Sequence, residues 1–145
     1  MDAEIKKKVA VSGGFDPVHV GHVRMIKEAA KLGGVLIVIL NDDSFLMRKK
    51  KFVFMPLEER KEILLSVEGV DEVVVAVDKD DSVCRTLELI RPDIFANGGD
   101  KRSEKDIPEV ETCKKIGCEM VFNVGGDKVQ SSSDLVYKIL EADGK

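Results

Sequence analysis

The chain has 145 residues, 43% of them apolar, enough for one continuous core and too few for a second sizeable domain, so a single domain over residues 1–145 is expected. A formal charge of -4, one Tyr and no Trp argue against a nucleic-acid partner, and any cationic site must therefore be local. The first apolar stretch, Val9 to Val11, is too brief for a signal segment or a membrane span, which points to a cytoplasmic protein with no membrane partner.

In chain order, short β-branched runs alternate with stretches whose apolar residues recur at three and four. Strands are predicted at Lys8 to Ser12, Val35 to Leu40, Glu72 to Val77, Asp93 to Ala96 and Glu119 to Asn123. Helices are predicted at Val20 to Leu32, Leu57 to Val67, Ser82 to Ile90, Ile107 to Ile116 and Ser131 to Ala142. Gly33-Gly34 closes the first helix, Pro56 suits a helix start, and Arg91-Pro92 ends the helix before the fourth strand. Strict β-α alternation implies right-handed crossovers. The expected fold is α/β, a Rossmann-like doubly wound five-stranded parallel sheet of order 3-2-1-4-5 with helices on both faces. Ligands of such sheets bind beyond the carboxyl ends of the strands.

Cys84, Cys113 and Cys118 are odd in number and lack paired ligand spacing, so reduced, mostly buried thiols are expected rather than a disulfide framework or a zinc site. The basic run Arg48-Lys49-Lys50-Lys51 falls between the second strand and the Pro56 helix, where by itself it reads as a solvated loop.

The richest segment is Gly13-Gly14-Phe15-Asp16-Pro17-Val18-His19-Val20-Gly21-His22, where a strand passes through glycines into a helix. It holds both histidines of the chain. Their i, i+3 spacing turns both rings to one side. Gly21 leaves the backbone bare beside them, and N–H groups at a helix start favour an anion. Imidazoles donating to phosphate oxygens stabilise charge where it develops. Two histidines without a third ligand do not make a zinc site, so no protein-held metal is expected.

The run from Gly14 to His22 resembles the HxGH signature of the cytidylyltransferase-like nucleotidyltransferases, which include glycerol-3-phosphate cytidylyltransferases, heptose 1-phosphate adenylyltransferases and phosphopantetheine adenylyltransferases. The resemblance extends along nearly the whole chain. Lys49 and Lys51, followed by Pro56-Leu57-Glu58-Glu59-Arg60, look like the family's lysine-bearing loop and the helix whose Arg helps bind nucleotide phosphates. Gly98-Gly99-Asp100 resembles a turn near the nucleotide, and Lys128-Val129-Gln130-Ser131-Ser132-Ser133 stands where the family's second signature holds the β- and γ-phosphates. Read without the resemblance, Gly98 to Asp100 is a plain turn, Ser131 to Ser133 a helix cap, and Arg60 a solvent-facing partner of Glu59 or Glu62.

The resemblance implies transfer of a nucleoside monophosphate from ATP or CTP to a phosphorylated small molecule, with release of pyrophosphate. His19, His22, Lys49 and Lys51 are the implied catalytic residues. Gly14, Phe15, Asp16, Gly21, Arg60, Gly98, Asp100, Lys128, Ser131, Ser132 and Ser133 are the implied nucleotide-binding residues, with Asp16 either orienting the loop or making an Asx turn before Pro17. Mg²⁺ carried by phosphate oxygens and water is the expected cofactor. Members of the family are commonly dimers or larger, so a homo-oligomer is implied. Pro56-Leu57-Glu58, Glu68 and Gly98-Gly99-Asp100 lean toward the heptose-phosphate branch, whereas the triple serine is closer to the phosphopantetheine branch. A sugar or polyol phosphate is the preferred acceptor. The alternatives are an adenylyltransferase of cofactor synthesis, acting on phosphopantetheine, flavin mononucleotide or nicotinate mononucleotide, and a nucleotide-binding regulator without turnover.

Overall fold

The computed structural model describes residues 6–98, 107–126 and 130–143. Five strands alternate with helices: β1 (Lys8–Gly13), α1 (Val20–Ala30), β2 (Val35–Leu40), α2 (Asp43–Lys50), α3 (Leu57–Leu65), β3 (Glu72–Val75), α4 (Cys84–Ile90), β4 (Ile94–Ala96), α5 (Glu109–Ile116), β5 (Glu119–Val121) and α6 (Ser132–Asp143). The strands form one parallel sheet of order β3-β2-β1-β4-β5, as the alternation implied.

Period-two alternation divides the core into two layers. Val9 and Val11 of β1, Leu36, Val38 and Leu40 of β2, and Ile94 and Ala96 of β4 meet Ile26 and Ala29 of α1 and Leu64 of α3 on one face. Ala10, Ile39 and Phe95, from the same three strands, meet Leu87 of α4 and Cys113 of α5 on the other. Both faces of the sheet are thus covered, which is why its strands read as nearly continuous apolar runs.

Two differences from the sequence expectations have plain causes. The basic run is the last turn of a helix, α2, and not a loop. Asp42 caps that helix by accepting the Phe45 N–H at 2.8 Å, Asp43 lies in its first turn, and Arg48, Lys49 and Lys50 lie in its last. This charge order complements the helix dipole. Strand β3 stops at Val75 rather than Val77, because β2 has run out at Leu40 and the chain is diverted to α4. There the Val77 N–H donates to Thr86 Oγ1 at 3.0 Å, and the Asp78 carboxylate accepts the Arg85 and Thr86 N–H groups.

The chain leaves β1 for β2 and β3 on one side of the sheet and returns to β4 and β5 on the other. Neighbouring connections therefore diverge beyond the ends of β1 and β4, and a crevice opens there.

Candidate active site beyond the first strand

The geometry starts from how α1 begins. His19 is its N-cap, in extended backbone, and its Nδ1 accepts the Gly21 N–H at 3.1 Å. His22 Nδ1 accepts the His19 N–H at 3.2 Å, so the two imidazoles cap the helix reciprocally. A ring nitrogen that accepts carries no proton, which fixes both neutral rings as the tautomer with hydrogen on Nε2. The rings stack with centroids 3.8 Å apart and 19° between planes, and Phe15 lies against His22 at 4.7 Å. Burial, then the neighbouring His19 and Lys50, hold the His22 pKa down at about 3, so its ring stays neutral and keeps its Nε2–H donor across the physiological range.

These rings line a cavity of about 410 Å³ together with Gly21, Met25, Lys50, Gly98, Val124, Gly125, Gly126, Gln130 and Ser131 to Ser133. That size suits a small ligand. The opposite wall is made of backbone. Gly125 has φ +91°, and a Cβ there would stand 2.8 Å from Met25 Cα, so only glycine lets the segment after β5 lie against α1. The start of α6 supplies hydroxyls. Ser132 Oγ donates to Pro17 O at 2.7 Å, tying the second signature to the first, and Ser131 Oγ accepts the Asp134 N–H at 3.3 Å as a cap.

Of the residues singled out in the sequence, His19, Gly21, His22, Gly98, Ser131, Ser132 and Ser133 come together in this crevice. Asp100 and Lys128 lie outside the described residues. Lys49 and Lys51 are exposed and do not line the crevice; Lys49 Nζ stands 3.7 Å from Asp81 instead. Lys50, between them, is the lysine that reaches the crevice, where burial depresses its pKa, Asp16 raises it and Arg60 lowers it. Helical phase explains the choice. Leu46 is fully buried, and Lys50, one turn later, shares its side of α2.

Gly14, Phe15, Asp16 and Arg60 form the floor behind the crevice and do not line it. Arg60 is fully buried rather than facing Glu59, Glu62 or solvent. Its Nε donates to Met55 O at 2.9 Å, its Nη1 to Gly14 O and Asn41 O at 2.8 Å each, and its Nη2 to Asp43 Oδ1 at 2.7 Å. One guanidinium thus joins the ends of β1 and β2, the start of α2 and the chain entering α3. Four of its five N–H donors are thus spent on the protein, behind the crevice and out of solvent. Asp16, also fully buried, accepts the Phe54 and Met55 N–H groups at 2.6 Å each, a longer-range bond than the Asx turn considered from sequence. Sequence reasoning missed Lys50, Met25, Gln130 and Val124 to Gly126; the phase of α2 and the Gly-Gly pair after β5 were the available clues.

A parallel sheet of this order, with a donor-lined crevice beyond its central strand, defines a Rossmann-like α/β protein of the mononucleotide-binding class. The Cytidylyltransferase-like family model matches residues 10–141, and the chain belongs to that family of nucleotidyltransferases. FAD synthase of Ferroglobus placidus is 36% identical over 116 residues, 79% of this chain and 74% of that protein. FAD synthase of Aciduliprofundum boonei is 33% identical over 139 residues, 92% of this chain and 91% of that protein. The Bifunctional protein HldE of Hahella chejuensis is 36% identical over 124 residues, but this chain spans only 24% of its length. Among solved structures, the lipopolysaccharide core biosynthesis protein of Thermoplasma volcanium GSS1 shares the fold with TM-score 0.71 at 24% identity, covering 86% of this chain and 99% of that one.

Proposed function

We propose that the protein transfers a nucleoside monophosphate from ATP or CTP to a phosphorylated sugar or polyol and releases pyrophosphate. An acceptor phosphate oxygen attacks the α-phosphorus, a new P–O bond forms, and the bond from the α-phosphorus to the bridging oxygen breaks as pyrophosphate leaves. The observation that carries this reading is the pair of stacked imidazoles, each accepting a backbone N–H at Nδ1, in one cavity with Lys50 and three serines. Preset donors of this kind stabilise a developing pyrophosphate without reorganising, and holding two anions in line supplies much of the remaining acceleration.

His19 and His22 act on the α-phosphate and the leaving group, Lys50 neutralises the approaching anions, and Ser131, Ser133 and the α6 start hold the β- and γ-phosphates. Ser132 and Arg60 position the two signatures. Asp100 and Lys128 complete the nucleotide site by resemblance, and the exposed Lys49 and Lys51 add to the positive field at its mouth. Among the described residues no three His, Cys, Asp or Glu side chains converge, and the crevice lining holds no carboxylate. This donor set fits Mg²⁺ that is held by triphosphate oxygens and water rather than by a protein cage. When bound, the ion would offset phosphate charge. The reading includes one domain over residues 1–145, a cytoplasmic location and a homo-oligomeric assembly; among the described residues no helix is long and apolar enough to cross a membrane.

A second acceptor is favoured by a specific observation. The FAD synthases match this chain over 74% and 91% of their length, against 24% for HldE, which supports flavin mononucleotide as acceptor with ATP as donor. Incubation with Mg²⁺, each of the four nucleoside triphosphates and either a phosphosugar library or flavin mononucleotide, with products identified by mass, separates the two. Pyrophosphate and a sugar or polyol nucleotide are expected; FAD alone transfers the assignment to the second acceptor, and no product under any pairing overturns both.

A further inference from the structure

Cys113 and Cys118 lie at the end of α5, on the side of the sheet that carries none of the proposed chemistry. Helix α5 ends in a left-handed Gly117, φ +73°, and the Cys118 N–H turns back to donate to Cys113 O at 2.8 Å. This is the Schellman arrangement, in which the residue after the glycine packs against the one that accepts its N–H. Here both positions are cysteine. With standard bond lengths, that hydrogen bond cannot leave the two Cα atoms more than about 6.7 Å apart, within the span of bridged cysteines. The side chains share one environment as well, since both belong to the same buried cluster on this face of the sheet.

We propose that Cys113 and Cys118 are a redox modification site, which a low-molecular-weight disulfide oxidises to a reversible intramolecular bridge. Both residues line a cavity of about 540 Å³ with Val110, Lys114, Met120 and Phe122, the route by which a small oxidant would reach them. Cys118 is 8% exposed against 1% for Cys113 and attacks first. The neighbouring Cys118 thiol, then burial, hold the Cys113 thiol above the ordinary range, and the neighbouring Cys113 holds Cys118 below it. The Cys118 thiolate attacks one sulfur of the external disulfide, forming a mixed disulfide and releasing one thiolate. Cys113, on losing its proton, displaces the second thiolate and closes the bridge, so two protein thiols are oxidised and one external disulfide becomes two thiols. The bridge fixes the start of β5, whose continuation through Val124 to Gly126 forms a wall of the active-site crevice.

The full chain is treated with oxidised glutathione, remaining thiols are blocked with iodoacetamide, and the protein is cleaved with trypsin at Lys114 and Lys115, between the two cysteines. The expected product is a pair of peptides joined through Cys113 and Cys118, released by dithiothreitol, with Cys84 alkylated throughout. In Cys113→Ser the mixed disulfide at Cys118 persists. Recovery of both residues alkylated, of a stable glutathione adduct on the unmutated chain, or of a bridge to Cys84 overturns the proposal. Because the decisive map is made on the unmutated chain, poor folding of the variant leaves the test intact.

Discussion

Two polar regions meet at the end of β1, and they differ in what their hydrogen bonds are spent on. In the floor, Asp16 and Arg60 are fully buried, and their bonds go to the backbone just beyond β1 and β2, to the chain before α3 and to the Asp43 carboxylate of α2. In the crevice, His19 and His22 each accept a backbone N–H at Nδ1, which sets the tautomer with hydrogen on Nε2. A charge at a site is therefore no guide to its role until its partners are counted. Floor substitutions should cost stability first, and crevice substitutions should cost turnover first.

The largest effect is expected from Arg60→Met. It removes four bonds and leaves the carbonyls of Gly14, Asn41 and Met55 without this partner, a loss of about 3–5 kcal/mol in unfolding free energy. Urea denaturation measures it. A midpoint within error of the unmutated chain would dissolve the distinction between floor and crevice.

Next come His19→Ala and His22→Ala, each expected to lower pyrophosphate release by about a hundredfold or more, the scale of one lost donor to a developing oxyanion. Their thermal midpoints should fall much less than that of Arg60→Met, because only a helix cap is lost, about 1 kcal/mol. Full activity in His19→Ala would remove the imidazoles from the mechanism.

His22 also links the crevice to pH. The folded chain holds its pKa at about 3, whereas an unfolded chain takes up that proton below its ordinary value of 6.5. Between those values the unfolded state binds more protons, so stability falls as pH falls, by up to about 1.4 kcal/mol per pH unit, and is independent of this group above the window. His22→Asn lacks the titration, so its urea midpoint should decline less than that of the unmutated chain between pH 7 and pH 5. Parallel declines would mean that the ring is protonated in the fold.

The same contrast explains what the sequence made legible. Strand order and layering were readable because β-branched runs alternating with helical periodicity leave few topologies, and His19 and His22 were readable because spacing alone sets rings at i and i+3 together. The burial of Arg60 was not legible, and the solvent-facing alternative fails, since its three carbonyl partners come from residues 5, 46 and 19 positions away and no local pattern announces them. Gly125 was passed over because its role depends on Met25 of α1, packed against it across the crevice. Among Lys49, Lys50 and Lys51 the choice was readable in principle. It needed α2 to be recognised as a helix, and the capping Asp42, the acidic first turn and the basic last turn were all there.

That choice gives the smallest and most discriminating expectation. Lys49 is half-exposed beside Asp81, so Lys49→Ala should leave kcat/KM within about twofold and shift stability little, as exposed pairs do. Lys50, in the crevice and partly desolvated, should cost about tenfold or more in kcat/KM on mutation to Ala, the scale of one charge-assisted hydrogen bond. Replacement by Arg tests position against charge, because a guanidinium restores the positive charge without the compact ammonium and should recover only part of the rate. If Lys49→Ala proves the more damaging, then the end of α2 turns when nucleotide binds, and the lysine that serves the phosphates is set by that turn rather than by the phase of the helix.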